Sequence, residues 1–314
     1  MRSISNEERR SRLAYRHRLA KPASNPVDAA RSMVALHSSD PATVFLSVQA
    51  RVPGFTSTDL EQVLYENRSL VRMLGMRRTM WVVPRDFASV LDSSSAAALV
   101  APQLKRTAWM VESGGITSNG AAWYEKTATK VLKALDARGE ATARELTKDV
   151  PELAQKVTFY KKDGGVMGEV GASTRVLFML ATEGRIIRAR PLGTWISSQY
   201  RWSRMENWLG APLEQLDPDE AQATLVRSWL RTFGPATVVD IKWWTGWTVK
   251  QVRTALQAVE AVEVTLGNGP GYLLGDDVEA VTHPGPWVAL LPSLDPTTMG
   301  WKERDWYLGD EAAR

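Results

Sequence analysis

The sequence predicts an α+β protein, mainly helical, and three observations carry that expectation. Apolar residues recur at helical spacing, as at Ala29, Met33 and Leu36 beside Ala30, Val34 and His37. A motif of the form G-x-A-T-x-x-acid-apolar occurs twice, at Gly139–Leu146 and at Gly234–Ile241, 95 residues later. Each copy comes after a long helical stretch and is succeeded by a further helix and then by β-type runs. Helix, short helix, helix and two-stranded wing is the winged form of helix-turn-helix, so a tandem array of such units is expected.

In order, residues 6–20 read as a helix carrying Leu13 and Leu19, and helical patterns recur at 27–37, 42–51 and 57–67. Thr58 with Glu61 three residues on has the form of a capping box. From Leu70 to Val83 the pattern changes to that of a bent hairpin, with Gly75 in its middle and Pro84 ending it. Asp86 opens another helix through Leu91, completing a winged-helix-like unit over 1–112 that ends at the turn-rich stretch 112–120. The second unit, 121–208, has helices at 121–138 and about 168–183, then β-type runs at 185–188 and 200–202. The third, 213–275, has helices at 219–233 and 248–260, then runs at 262–266 and 271–274. In both copies of the repeat the threonine, Thr142 or Thr237, is placed to cap the next helix, with Glu145 or Asp240 at its third position. Trp287-Val288-Ala289-Leu290-Leu291 reads as a buried strand, which makes 286–314 the start of a C-terminal β region.

Composition narrows the function. The 314 residues are 44% hydrophobic and 24% charged, ordinary values for a soluble globular protein. No apolar run approaches the roughly 18 residues of a membrane span, and the basic, polar N-terminus has no signal-like apolar core, so a cytoplasmic protein is expected. There is no cysteine, which excludes disulfides and thiolate sites. His17, His37 and His283 lie far apart and no phosphate-binding glycine motif is present, so neither a metal nor another cofactor is expected. Net charge is +4 with a pI near 9.3. Residues 1–21 hold seven basic against two acidic side chains, and residues 160–205 hold eight against three. Such basic blocks suit a polyanion; the alternative is a solvated basic face. The first repeat's wing is itself basic through Arg185, Arg188 and Arg190, which suits contact with phosphates.

Leu36-His37-Ser38-Ser39-Asp40-Pro41 is the stretch with most chemistry in it. It holds one of the three histidines at a break between two helical runs. Asp40 is equally a natural N-cap for a helix that Pro41 opens, and a lone histidine at the end of an apolar run is commonly a core residue.

Several stretches together resemble a known family, the AlkZ/YcaQ-like winged-helix DNA glycosylases, which remove alkylated bases and unhook interstrand crosslinks. Leu290-Leu291-Pro292-Ser293-Leu294-Asp295 with Gly300-Trp301-Lys302-Glu303-Arg304 is similar to the family's L-L-P-x-x-D…G-x-x-x-R signature. Arg77 to Asp86 is similar to its R-x-T-L-H-L-V-P block, with Trp81 in the histidine position. Phe233–Thr237 with Trp243–Gly246 resembles its last winged-helix unit. The resemblance spans essentially the whole chain and implies double-stranded DNA with alkylated bases as partner, with the protein acting as a monomer. It implies that Arg77, Arg78 and Trp81 line the reaction pocket or the DNA path; otherwise they are a hairpin with solvated arginines and a core tryptophan. Active members carry a catalytic Gln-x-Gln or Gln-x-Asp inside L-Q-x-Q-D-P. Here His37 takes the first glutamine position and Ser39 the second, ahead of Asp40. The family continues into a C-terminal β-barrel, whereas this chain stops at Arg314 and is either a shortened member or a trimmed one.

The chemistry the family performs needs little. A cationic alkylated purine is already a good leaving group, so the protein must stabilise an oxocarbenium-like sugar and place a water. His37 suits a general base near neutrality. Ser39 can hold the water, and Asp40 can stabilise positive charge or orient His37. The expected function is therefore a monofunctional glycosylase for alkylated or crosslinked purines. The alternatives are a non-catalytic DNA-binding protein of the same fold and a protein-interaction module.

Overall fold

The computed structural model describes residues 1–160 and 164–308. It is a mixed α/β protein with many helices and small antiparallel sheets, and no closed barrel forms among the described residues. The chain divides into two compact units. Unit one joins both ends, Met1–Ser95 and Gln215–Arg314, and unit two is Ala96–Glu214.

The first half of unit one opens with α1 (Asn6–Arg16), capped by the Ser5 hydroxyl, which accepts from the Glu8 amide. Helix α2 (Pro26–Ser32) has Asn25 as its cap and Pro26 at its first position, where no amide hydrogen is required. The helical pattern read over 27–37 stops early. Val34 takes a left-handed φ of 62° and the chain straightens into a two-residue strand, β1 (Leu36–His37). Helix α3 (Pro41–Gln49) comes directly after it. Helix α4 (Ser57–Glu61) runs into a wider π turn to Glu66. Its capping box is Thr56 with Asp59, not Thr58 with Glu61, so the helix begins earlier than the sequence signal suggested. The hairpin is present as β2 (Leu70–Leu74) and β3 (Met80–Pro84), every residue of both strands buried, and a short α5 (Ala88–Leu91) comes next. Strand β3 lies between its neighbours in the order β1-β3-β2.

Unit two starts with α6 (Ala97–Ser113), continuous across Pro102, and α7 (Gly120–Arg138). Then come β4 (Glu140–Thr142), α8 (Ala143–Asp149), the hairpin β5 (Lys156–Tyr160) and β6 (Val166–Gly171), and α9 (Ala172–Thr182). The helix read from about 168 therefore begins only at Ala172, because its first residues are taken by β6. Strands β7 (Ile186–Pro191) and β8 (Tyr200–Arg204) complete a sheet of order β4-β8-β7, and α10 (Met205–Leu209) closes the unit. Tyr124, Val131, Leu135, Leu146, Val176 and Leu180 form its core.

The second half of unit one runs α11 (Pro218–Phe233), α12 (Val238–Thr245), α13 (Val249–Ala258), then the hairpin β9 (Val262–Leu266) and β10 (Gly269–Leu273), and ends in α14 (Asp305–Leu308). The strand expected at 287–291 is absent: among the described residues no strand comes after β10, and Val288 and Leu290 are 88% and 90% exposed. The run carries strand-forming side chains, but prolines flank it at 284, 286 and 292 and nothing pairs with it. From Pro292 to α14 the chain stays irregular and is anchored by single residues. No helix among the described residues is long and apolar enough to cross a membrane.

The basic block at the N-terminus is not a free cationic face. Arg2 pairs with Glu8, Arg18 with Asp28, and the buried Arg12 with Glu8 and Asp277. Arg16 grips both oxygens of Asp277 at 2.7 and 2.6 Å. Arg9, 2% exposed, lies 4.0 Å over the Trp306 ring. Most of the positive charge that suggested a polyanion partner thus ties α1 to the C-terminal half of its own unit. In the second basic block, Lys161, Lys162 and Asp163 lie outside the described residues.

Candidate functional site

Unit one holds six of the singled-out residues, His37, Ser39, Asp40, Arg77, Arg78 and Trp81, on β1, β3 and the turns next to them. His37 pairs in register with Trp81, and the two rings meet edge to face at 4.9 Å. The Trp81 indole donates to the Met76 carbonyl at 3.3 Å, which fixes the ring that His37 rests on. His37 is 5% exposed, and its Nδ1 is enclosed without a hydrogen bond. Burial holds the imidazole below its ordinary value of 6.5; the Arg77 charge pushes the same way, and the Asp40 carboxylate opposes both. The ring is therefore neutral at neutral pH, as a general base must be.

Asp40 is the N-cap of α3. Its Oδ2 accepts from the Thr43 amide and hydroxyl, each at 2.8 Å. Both cap bonds use Oδ2, so capping does not engage Oδ1, and Asp40 itself is exposed. Ser39 is exposed on the same turn, whereas Ser38 is buried with its amide donating to the Met80 carbonyl at 2.8 Å. One histidine in an apolar wall, with a hydroxyl and a carboxylate on the turn beside it, can bind and polarise a water.

Arg77 and Arg78 sit at the tip of the β2–β3 hairpin, both in left-handed backbone, at φ 54° and 62°. Arg77 is half-buried and its guanidinium lies 4.5 Å from the centre of the Trp243 ring; Arg78 is exposed. Gly246, the left-handed cap of α12, keeps this arrangement open, because a Cβ there would meet Arg77 Cγ at 3.0 Å. Arg185, Arg188 and Arg190 are in unit two, on and next to β7, all half-buried. Arg185 pairs with Glu183 at 3.4 Å, and Arg188 lies over the rings of Tyr200 and Trp202 at 5.1 and 5.4 Å.

Sequence reading gave no role to Arg304, which stacks on the same Trp243 ring at 5.2 Å. The signal was present in the R of G-x-x-x-R. The D of L-L-P-x-x-D, Asp295, is fully buried against Arg51 in a two-pronged ion pair with both distances 2.8 Å. Thr297 links that pair to His17 at 2.8 Å. Burial first, and Arg51 next, drive the His17 pKa down to about 3. Gly300 fits only as glycine, since a Cβ would come within 2.6 Å of the Phe233 ring. Among the described residues no group of three or more acidic or histidine side chains is arranged to hold a metal.

The sequence profile of the DNA glycosylase AlkZ-like family matches residues 30–314. The chain belongs to that family of DNA glycosylases, and DNA is the substrate class that membership implies. Among solved structures, the DNA glycosylase AlkZ of Streptomyces sahachiroi superposes with a TM-score of 0.71 at 17% identity, covering 98% of this chain and 81% of the other. That likeness establishes a shared fold. No curated protein sequence matches the chain.

Proposed function

We propose that the protein is a monofunctional DNA repair glycosylase that hydrolyses the N-glycosidic bond of alkylated or crosslinked purines in duplex DNA, with His37 and Ser39 in place of the family's glutamine pair. The observation that carries this reading is the neutral His37 beside the exposed Asp40, with Arg77 close enough to perturb it. In this reading the imidazole accepts a proton from the attacking water while Ser39 holds that water by a hydrogen bond. The Asp40 carboxylate offsets positive charge on the sugar as the base departs. The departing base is already cationic, so no metal or other cofactor enters the step. The repeated helix, short helix, helix and hairpin order, α7-α8-α9 with β7-β8 and α11-α12-α13 with β9-β10, supports reading these segments as winged helices that carry the enzyme, as a monomer, along cytoplasmic duplex DNA.

The test is excision of N7-methylguanine from duplex DNA, read as strand cleavage after alkali. The intact protein should generate abasic sites, and His37→Ala should slow their formation about 100-fold, the low end for loss of a general base. Because the His37 pKa is lowered, the acid limb of the rate profile should lie below pH 6.5. Full activity in His37→Ala would refute the assignment. One observation favours a second reading, DNA binding without excision: His37 is only 5% exposed behind Trp81. DNA binding without abasic product would support it.

A further inference from the structure

Trp243 is shared by two cations. The Arg77 guanidinium centre lies 4.5 Å from its ring centre and that of Arg304 lies 5.2 Å from it. The two positive charges are thus no more than about 10 Å apart, within a Debye length at ~0.1 M salt. Neither has a carboxylate within ion-pair distance among the described residues, and neither Nη group makes a hydrogen bond there. Arg12, Arg16 and Arg51 in the same unit are each matched to an aspartate.

Both arginines are nevertheless held in place. Arg304 Nε donates to the Trp301 carbonyl at 3.1 Å, and the preceding amides of Lys302 and Glu303 both donate to Asp240 Oδ1. Arg77 is presented by a left-handed residue at a hairpin tip, and its enclosed Nε has no partner. Strained backbone of this kind concentrates at ligand clamps. Burial, and next the Arg304 charge, disfavour the Arg77 cation, which an anion between them would reverse. Two forked donors with one open edge each match the oxygens of a phosphate diester.

We infer that Arg77 and Arg304, braced on Trp243, form a seat for one backbone phosphodiester of the DNA strand, with Arg304 a binding residue of the enzyme. The inference rests on the glycosylase reading for its substrate. It adds that the C-terminal segment supplies a contact to the strand beside the His37 turn.

The test is binding of an undamaged duplex, measured by fluorescence anisotropy over a salt series. Each phosphate contact contributes about 0.9 to the slope of log K against log salt. Arg304→Gln should lower the slope by about 1 and weaken binding roughly tenfold at low salt, whereas Arg304→Lys should keep the slope. Arg231→Gln, which removes a guanidinium paired with Asp276, should leave it unchanged. A merely structural Arg304 would change the melting temperature without changing the slope. An unchanged slope in a folded Arg304→Gln overturns the seat while leaving the glycosylase reading standing. A wild-type protein with no duplex binding overturns both. Competition by inorganic phosphate beyond that of chloride at equal ionic strength would assign the seat to free phosphate and overturn the DNA assignment.

Discussion

The two copies of the G-x-A-T motif fold the same way locally and do different work. In unit two, Glu145 Oε2 accepts from the Thr142 amide and hydroxyl at 2.7 and 2.8 Å, with the Glu145 amide donating back at 3.2 Å. In unit one, Asp240 Oδ2 makes the equivalent pair with Thr237 at 3.1 and 2.9 Å. Asp240, however, is fully buried, and its second oxygen receives the Lys302 and Glu303 amides at 2.9 and 3.1 Å. One capping grammar thus yields a local helix start in the first copy. In the second it yields a tertiary anchor that fixes the segment bearing Trp301 and Arg304. Burial of the acid, rather than its place in the motif, makes the difference.

The sharpest way to break this comparison is to remove the two acids in turn. Asp240→Ala leaves four donors without their acceptor, the two of Thr237 buried and the Lys302 and Glu303 amides part-buried, at roughly 1–3 kcal/mol for each buried one before relaxation and rehydration. A loss of about 3–5 kcal/mol, and a fall of about 10 °C in Tm, is expected by calorimetry. An intermediate effect comes from the histidine that the anchored segment covers. His17 stacks on Trp301 at 5.7 Å, and its folded pKa of about 3 lies far below the 6.5 of an unfolded chain. The unfolded state therefore binds a proton first as pH falls below 6.5. Stability should drop from there towards pH 3 with a slope of up to about 1.4 kcal/mol per pH unit, and His17→Gln should flatten that slope. The smallest effect belongs to Glu145→Ala, a degree or two in Tm. Hydrogen bonds from the Thr142 backbone and then its hydroxyl lower the Glu145 pKa below 4.5, so its stabilisation is present above that pH and fades as pH falls through it. Equal losses in Asp240→Ala and Glu145→Ala would mean the second copy is no anchor.

What could be read from the sequence divides along the same line. Thr142 with Glu145 and Thr237 with Asp240 were legible because a capping box is complete within four residues. The β2–β3 hairpin was legible from its apolar run and Gly75. Helix α6 and the β5–β6 hairpin were not, since Pro102 and the glycines of 164–171 mask the period of each. Trp287–Leu291 misled because side-chain type says nothing about whether a partner strand exists. In the candidate site, His37 to Asp40 stood out as a local motif, and Arg77 as part of a block. The pairing of Arg77 with Arg304 across Trp243 joins residues more than 200 positions apart, and no local pattern encodes it. The N-terminal arginines looked like a polyanion face because Asp277, which takes Arg12 and Arg16, lies about as far away in sequence.

Unit one is assembled from the two ends of the chain, and that governs the order in which its charges can be neutralised during synthesis. Arg51 and Asp295 are separated by 244 residues. At ~5–20 residues per second, on the order of ten to fifty seconds pass between the emergence of the cation and that of its acid. Residues 96–214 leave the ribosome whole in that interval and can fold as a unit. The first 95 residues meanwhile wait with Arg12, Arg16 and Arg51 lacking their aspartates. The nascent first half of unit one thus completes these ion pairs only once the C-terminal half has been made.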